Sequence, residues 1–178
     1  ILKRLHESHP IARAVAHVFE PASERGRQGL DEMQSQTVNL LSFKGQPKDI
    51  YDAQAAFNLL ARYGESAREP LEDVELRVER HLATLLSTGI QAPIPSLRLI
   101  QAPVFHGHSL SLWVEFEDDN PGTAAVEITL KGKHLDVRGD DQEPPNVVAI
   151  AGQPEVAVGA ITLDRNYPHA CWIWAASD

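Results

Sequence analysis

Strand patterns stand near the beginning, in the middle and at the end of this chain, with helical patterns set irregularly between them, and this ordering is the strongest constraint on its fold. The clearest strands are Ser96-Leu-Arg-Leu-Ile-Gln101 and Ser109-Leu-Ser-Leu-Trp-Val-Glu-Phe116, isolated upstream by Pro93 and Pro95. Both alternate polar with apolar residues, the period of a strand with one buried face. Ile11 to Phe19 has strand composition and ends near Glu20, Leu135 to Arg138 is a short strand, and Glu155–Leu163 and Ala170–Ala175 flank a hairpin connection at Asp164–Pro168. Ile1 to His6 reads as the end of a helix closed by Ser8-His9-Pro10.

A second helix starts at Ser23-Glu24, with Leu30, Met33, Thr37, Leu40 and Leu41 recurring at three and four residues to form one buried face. The strongest helical pattern runs from Pro70 to Ser87, with Leu71, Val74, Val78, Leu82 and Leu85 on one stripe and proline at its start. Ala53 to Leu60 reads as a packed connection, and Thr123 to Leu130 as a short helix. Strands and helices intermix without a regular βαβ alternation. The expected class is therefore α+β, a mixed, largely antiparallel sheet with helices packed on one face, in a single domain spanning residues 1–178.

Charge and length narrow the partners. The 178 residues suit one core, and 25 acidic against 16 basic residues leave no basic run able to track a phosphate backbone, so nucleic acid is not an expected partner. No apolar stretch approaches the roughly 20 residues that span a bilayer, and nothing resembles a signal peptide, so a cytoplasmic setting without a membrane partner is expected. One cysteine, Cys171, excludes an internal disulfide and a cysteine zinc cluster. The only methionine is Met33 and the opening Ile1-Leu-Lys-Arg-Leu5 falls in mid-pattern, which reads as a piece of a longer protein.

Chemistry concentrates between the two central strands. Gln101-Ala-Pro-Val-Phe-His-Gly-His108-Ser109 places two imidazoles at a strand junction hinged by Gly107, where a rigid strand end can hold a side chain that titrates near neutrality. His106 and His108, two residues apart, lack the carboxylate or cysteine that would complete a metal set. His108 is the better candidate for proton transfer. Cys171 lies in an alternating aromatic strand and reads as a buried, inert thiol, Trp172 and Trp174 as core or interface residues on one face, and Asp140-Asp141 as a solvated turn.

Three stretches in register, Glu20-Pro-Ala-Ser-Glu-Arg-Gly-Arg-Gln-Gly-Leu-Asp-Glu-Met33, Gln101–Ser109, and Val158–Arg165 leading to Trp172–Asp178, together resemble the dimerisation and substrate domain of aspartate semialdehyde dehydrogenases over nearly the whole chain. The resemblance implies a homodimer, an oxidoreductase of amino-acid biosynthesis, and a preceding nucleotide-binding domain, absent here, that supplies NADP or NAD and a nucleophilic cysteine. It implies that His108 moves the proton while that thiolate attacks an aldehyde or acyl phosphate, with Glu20 beside the reacting centre. It also marks Gln101, Glu75 and Arg77 as substrate-binding positions.

The chain departs from the working enzymes where they carry charge. Gln101 stands at the position of an arginine that clamps the substrate carboxylate, and Glu20 at that of a glutamine. The exchange moves the pocket by about two charge units against an acidic substrate. A glutamine at the clamp position is shared with the Usg-like, semialdehyde dehydrogenase-like relatives, to which this chain looks nearer. Two readings follow: a substrate domain with an altered pocket, or a non-catalytic relative that keeps the fold for homodimer assembly.

Overall fold

The computed structural model describes residues 1–89 and 91–178. Its elements are α1 (Leu2–Ser8), β1 (Ile11–Glu20), α2 (Gly26–Leu41), α3 (Leu71–Leu86), β2 (Ser96–Gln101), β3 (His108–Phe116), α4 (Thr123–Leu130), β4 (Leu135–Val137), β5 (Val156–Leu163) and β6 (Ala170–Ser177). The strands form one sheet in the order β2-β1-β3-β6-β5-β4. Pairs β1–β2 and β4–β5 are parallel and the three central pairs antiparallel, so the α+β, largely antiparallel class read from the sequence holds.

Alternation along the strands gives the sheet two unlike faces. Ala14 and Ala16 of β1, Leu112, Val114 and Phe116 of β3 and Cys171, Ile173 and Ala175 of β6 turn to one side and join Leu2, Leu5, Val126 and Leu130 from α1 and α4 in the main core. Leu5, Val114, Val126 and Leu130 are fully buried. Each contributes on the order of 1.5–3 kcal/mol by leaving water. A second cluster on the same side joins Leu99 of β2 to Met33 of α2, Leu71 and Val74 of α3, and Tyr51 and Tyr63 from the segment between those helices. All four helices therefore cover one face. Opposite lie Val15, Phe19, Trp113 and Trp172, of which Trp172 is 37% exposed. The β5–β6 end of this face is covered, Trp174 Nε1 donating to the Pro145 carbonyl at 2.8 Å, and Tyr167 stands edge-on to Trp113.

Three local expectations change. The helix expected from Ser23 begins as a 3₁₀ turn, Ala22–Arg25, and α2 starts only at Gly26, whose φ of +63° is open to glycine. The buried side of α2 is only in part the expected stripe: Met33 is buried and Leu30 and Leu40 pack on the second cluster, but Gly29, Glu32 and Gln36 share that side and Leu41 is 71% exposed. Glu32 accepts the backbone N–H groups of Asp49, Ile50 and Tyr51, and Gln36 Oε1 those of Ala55 and Ala56. A polar face is thereby paired with an irregular segment whose backbone has few partners of its own. Third, β5 is not a simple alternating strand. A bulge between Gly159 and Thr162, with Ala160 at φ +45°, sends both Val158 and Ile161 to the helical side.

Candidate functional site

Three segments meet at the end of β1. After Glu20 the chain enters the 3₁₀ turn, whose Ala22 and Ser23 N–H groups donate to the Val104 and Phe105 carbonyls at 2.8 and 3.0 Å. The turn bearing Glu24 and Arg25 is thus fastened to the loop bearing His108. Gly107, at φ +80°, makes that loop's last step. A Cβ there would sit 2.9 Å from Val147 Cβ, so the position requires glycine both for its φ and for its space. His108 then opens β3, paired with Ser177 of β6, which fixes its backbone.

His108 and Glu20 line one groove of about 610 Å³ between α3 and the sheet, together with Glu24 and apolar side chains including Val18, Val78, Leu99 and Leu110. His108 Nε2 lies 3.7 Å from Glu24 Oε1. Burial pulls the imidazole below its ordinary pKa, and the Glu24 carboxylate opposes that pull. Near neutral pH His108 is therefore uncharged and able to take a proton.

Glu20 is 2% exposed. Burial lifts its carboxyl to about 7, with Arg25 opposing the rise and Glu24 and Glu69 adding to it. Arg25 Nη2 is 3.0 Å from Glu20 Oε1 and its Nη1 3.6 Å from Glu69 Oε2, while its guanidinium stands 5.3 Å from the centre of the Tyr63 ring. Arg77 completes the chain of charges, Nη1 donating to Glu69 Oε1 at 2.7 Å and holding that carboxyl below its usual range.

The remaining sequence-named positions divide. Gln101 is wholly buried, its Oε1 accepting from the Tyr63 hydroxyl at 2.6 Å and its Nε2 donating to the Glu20 and Ala102 carbonyls at 3.0 and 2.9 Å. Its amide is spent on the framework and does not line the groove. Arg77 joins the charged cluster, whereas Glu75 is turned to β2, where it accepts the Leu99 N–H at 2.7 Å and pairs with Arg98 at 3.3 Å. His106 is exposed, beside Leu30 and Gln34 of α2. Cys171 is fully buried beneath the sheet's helical face, its thiol pushed up to about 12 by desolvation. No group of three His, Cys, Asp or Glu side chains is arranged to hold a metal among the described residues, and no helix among them is long and apolar enough to cross a membrane.

Sequence reading missed Arg25, Glu69 and Tyr63. One signal for Arg25 lies at Gly29, one helical turn on. A Cβ there would press on Arg25 Cβ and sit 2.7 Å from the Ala22 carbonyl and 2.9 Å from the Tyr51 hydroxyl. Gly29→Ala should therefore lose about 1–2 kcal/mol in urea unfolding, overpacking outweighing the gain in helix propensity. A stabilised variant would show that the turn yields freely.

The model of the semialdehyde dehydrogenase dimerisation domain matches residues 2–178. A USG-1 protein homologue from Pseudomonas aeruginosa is 31% identical over 156 residues, which are 88% of this chain and 46% of that protein. Aspartate-semialdehyde dehydrogenase from Rickettsia bellii is 26% identical over the whole of this chain and 52% of its own length. The chain thus spans about half the length of the curated relatives it matches. Among solved structures, a probable aspartate-semialdehyde dehydrogenase from Pseudomonas aeruginosa superposes with a TM-score of 0.86 at 30% identity, covering 98% of this chain and 52% of the other. Matched over residues 2–178, this chain belongs to the semialdehyde dehydrogenase dimerisation-domain family.

Proposed function

We propose that this chain is the substrate and dimerisation domain of an aspartate semialdehyde dehydrogenase-like oxidoreductase, with His108 as its acid/base and a pocket altered in charge. The observation that carries this reading is that His108, neutral and partly buried, lines a groove with Glu20 and Glu24. A cysteine thiolate and the NADP or NAD come from a nucleotide-binding domain of the same protein. His108 takes the proton of that thiol or of the thiohemiacetal hydroxyl, and returns it when the carbon–sulfur bond breaks.

Charge in the pocket sets the substrate. The described cluster holds Arg25 and Arg77 against Glu20 and Glu69, with Glu24 beside His108, and so carries no excess of positive charge to hold an α-carboxylate. Aldehydes or acyl phosphates without that carboxylate fit better than aspartate semialdehyde. The test is hydride transfer by the full-length protein, with NADP and with NAD, across aldehydes with and without an α-carboxylate. Turnover favouring the uncharged aldehydes supports the reading; a full-length protein without a cysteine at the nucleophile position sinks it and leaves homodimer assembly as the function.

The homodimer uses the open sheet face. Trp113 and Trp172 are cross-strand partners whose indole N–H groups both donate to Asp164 Oδ2, at 2.9 and 3.0 Å, which locks two large rings into a firm surface. Trp172→Arg should weaken the dimer by about thirtyfold or more in sedimentation equilibrium. A wild-type protein that sediments only as monomer would remove the dimer.

A further inference from the structure

Glu20 and Arg25 are an ion pair of unusual quality. Their side chains are 2% and 7% exposed, so both charges have lost their water, yet the 3.0 Å approach is not aligned as a hydrogen bond. Neither carboxylate oxygen of Glu20, nor Nε or Nη2 of Arg25, has a hydrogen-bond partner. A buried guanidinium normally satisfies its donors in a planar fork with an oxyanion. Here Nη1 meets Glu69 at a loose 3.6 Å, the Tyr63 hydroxyl lies beside the guanidinium, and Nε and Nη2 are unfilled. Glu20 lines the groove and Arg25 does not, so the carboxylate stands between the groove and the fork.

We propose that Arg25 is an oxyanion-binding residue closed off by Glu20, and that a small carboxylate or phosphoryl group entering from the groove binds its fork only when the Glu20 carboxyl is neutral. Neutral Glu20 no longer holds Arg25 by charge and offers a hydroxyl to the entering anion, completing a cradle with the Tyr63 ring behind it. The groups facing Glu20 are Arg25 and Glu24 from the turn, Tyr63 and Glu69 from the segment before α3, and Arg77 from α3, with His108 of β3 lining the same groove. Tyr51 stands behind Tyr63. With Glu20 neutral, Arg25 and Arg77 balance Glu69 and Glu24, and the site loses the net negative charge that otherwise repels an anion. The inference deepens the proposed function by adding a condition under which an anionic substrate group is admitted, but it does not depend on His108.

Titrating acetate and sulfate, both ionised throughout, into the protein at about pH 6 and about pH 8.5 tests it, followed by calorimetry and by the Arg25 Nε–H NMR signal. The wild type should bind about tenfold or more tightly at the lower pH, Glu20→Gln should bind at both, and Glu20→Gln/Arg25→Gln, which folds without a buried charge, at neither. Tighter acetate marks a carboxylate site and tighter sulfate a phosphoryl site. Anion binding that survives the double variant, or a Glu20→Gln protein that binds neither anion, overturns the proposal. Because no turnover is read, such a failure leaves the catalytic reading of His108 standing.

Discussion

Glu20→Gln is expected to stabilise the protein by about 3 kcal/mol at about pH 8.5 and to leave its stability nearly unchanged near pH 4.5. The folded carboxyl titrates at about 7 against an ordinary value of 4.5, because burial penalises the charge more than Arg25 repays it. Between those values the folded state holds a proton that the unfolded state has released, so the wild type loses stability as pH rises from about 4.5 to about 7 and loses no more above it. Glutamine keeps the shape and removes the titration. Plotted as the difference between variant and wild type, the gain should therefore climb through that window and then level. Titrating groups not coupled to Glu20 cancel in the difference. At 2% exposure solvent screening does not reduce the effect. Urea unfolding at several pH values checks it. A flat difference, or a Glu20→Gln protein weaker at high pH, would mean that Arg25 holds the carboxylate well enough to overcome its desolvation.

The sheet was legible because its strands carry the plainest signal a sequence has. Alternation in Ser96–Gln101 and Ser109–Phe116 follows from one face being buried, and both strands form almost where expected. α3 was legible from Pro70 and from the apolar stripe that Leu71 and Val74 open, both of which are buried. What stayed hidden is polar burial. Glu32 and Gln36 form the inner side of α2, and no hydrophobic period can report residues buried for their hydrogen bonds. Arg25, in the run Glu-Arg-Gly-Arg, looks like any solvated cation, yet the turn and the Val104–Phe105 backbone fold it inward. The bulge in β5 was invisible for a similar reason. Gly159-Ala160 reads as two more strand residues until the positive φ of Ala160 is seen to bring Val158 and Ile161 to the same side.

His108→Asn should lower kcat of the full-length enzyme by about 10²–10⁴-fold, some 3–5 kcal/mol of barrier, with a much smaller change in KM. Asparagine matches much of the volume of the ring and can still hydrogen-bond, so what it removes is the titrating nitrogen. The geometry makes the loss specific. His108 is held by the β3–β6 ladder on one side and Gly107 on the other, and among the described residues Glu24 is the acidic side chain paired with it. Its pKa lies below the ordinary 6.5. The acid limb of the kcat/KM profile should accordingly fall below that value, since the base is active in its neutral form. Glu24→Gln supplies a readout that a structural role would not move. Without the carboxylate at 3.7 Å nothing opposes desolvation, and the acid limb should shift to still lower pH while the plateau rate is largely kept. An acid limb indifferent to Glu24, or a His108→Asn enzyme within about threefold of the wild type, would assign the proton transfer elsewhere and leave His108 as part of the groove wall.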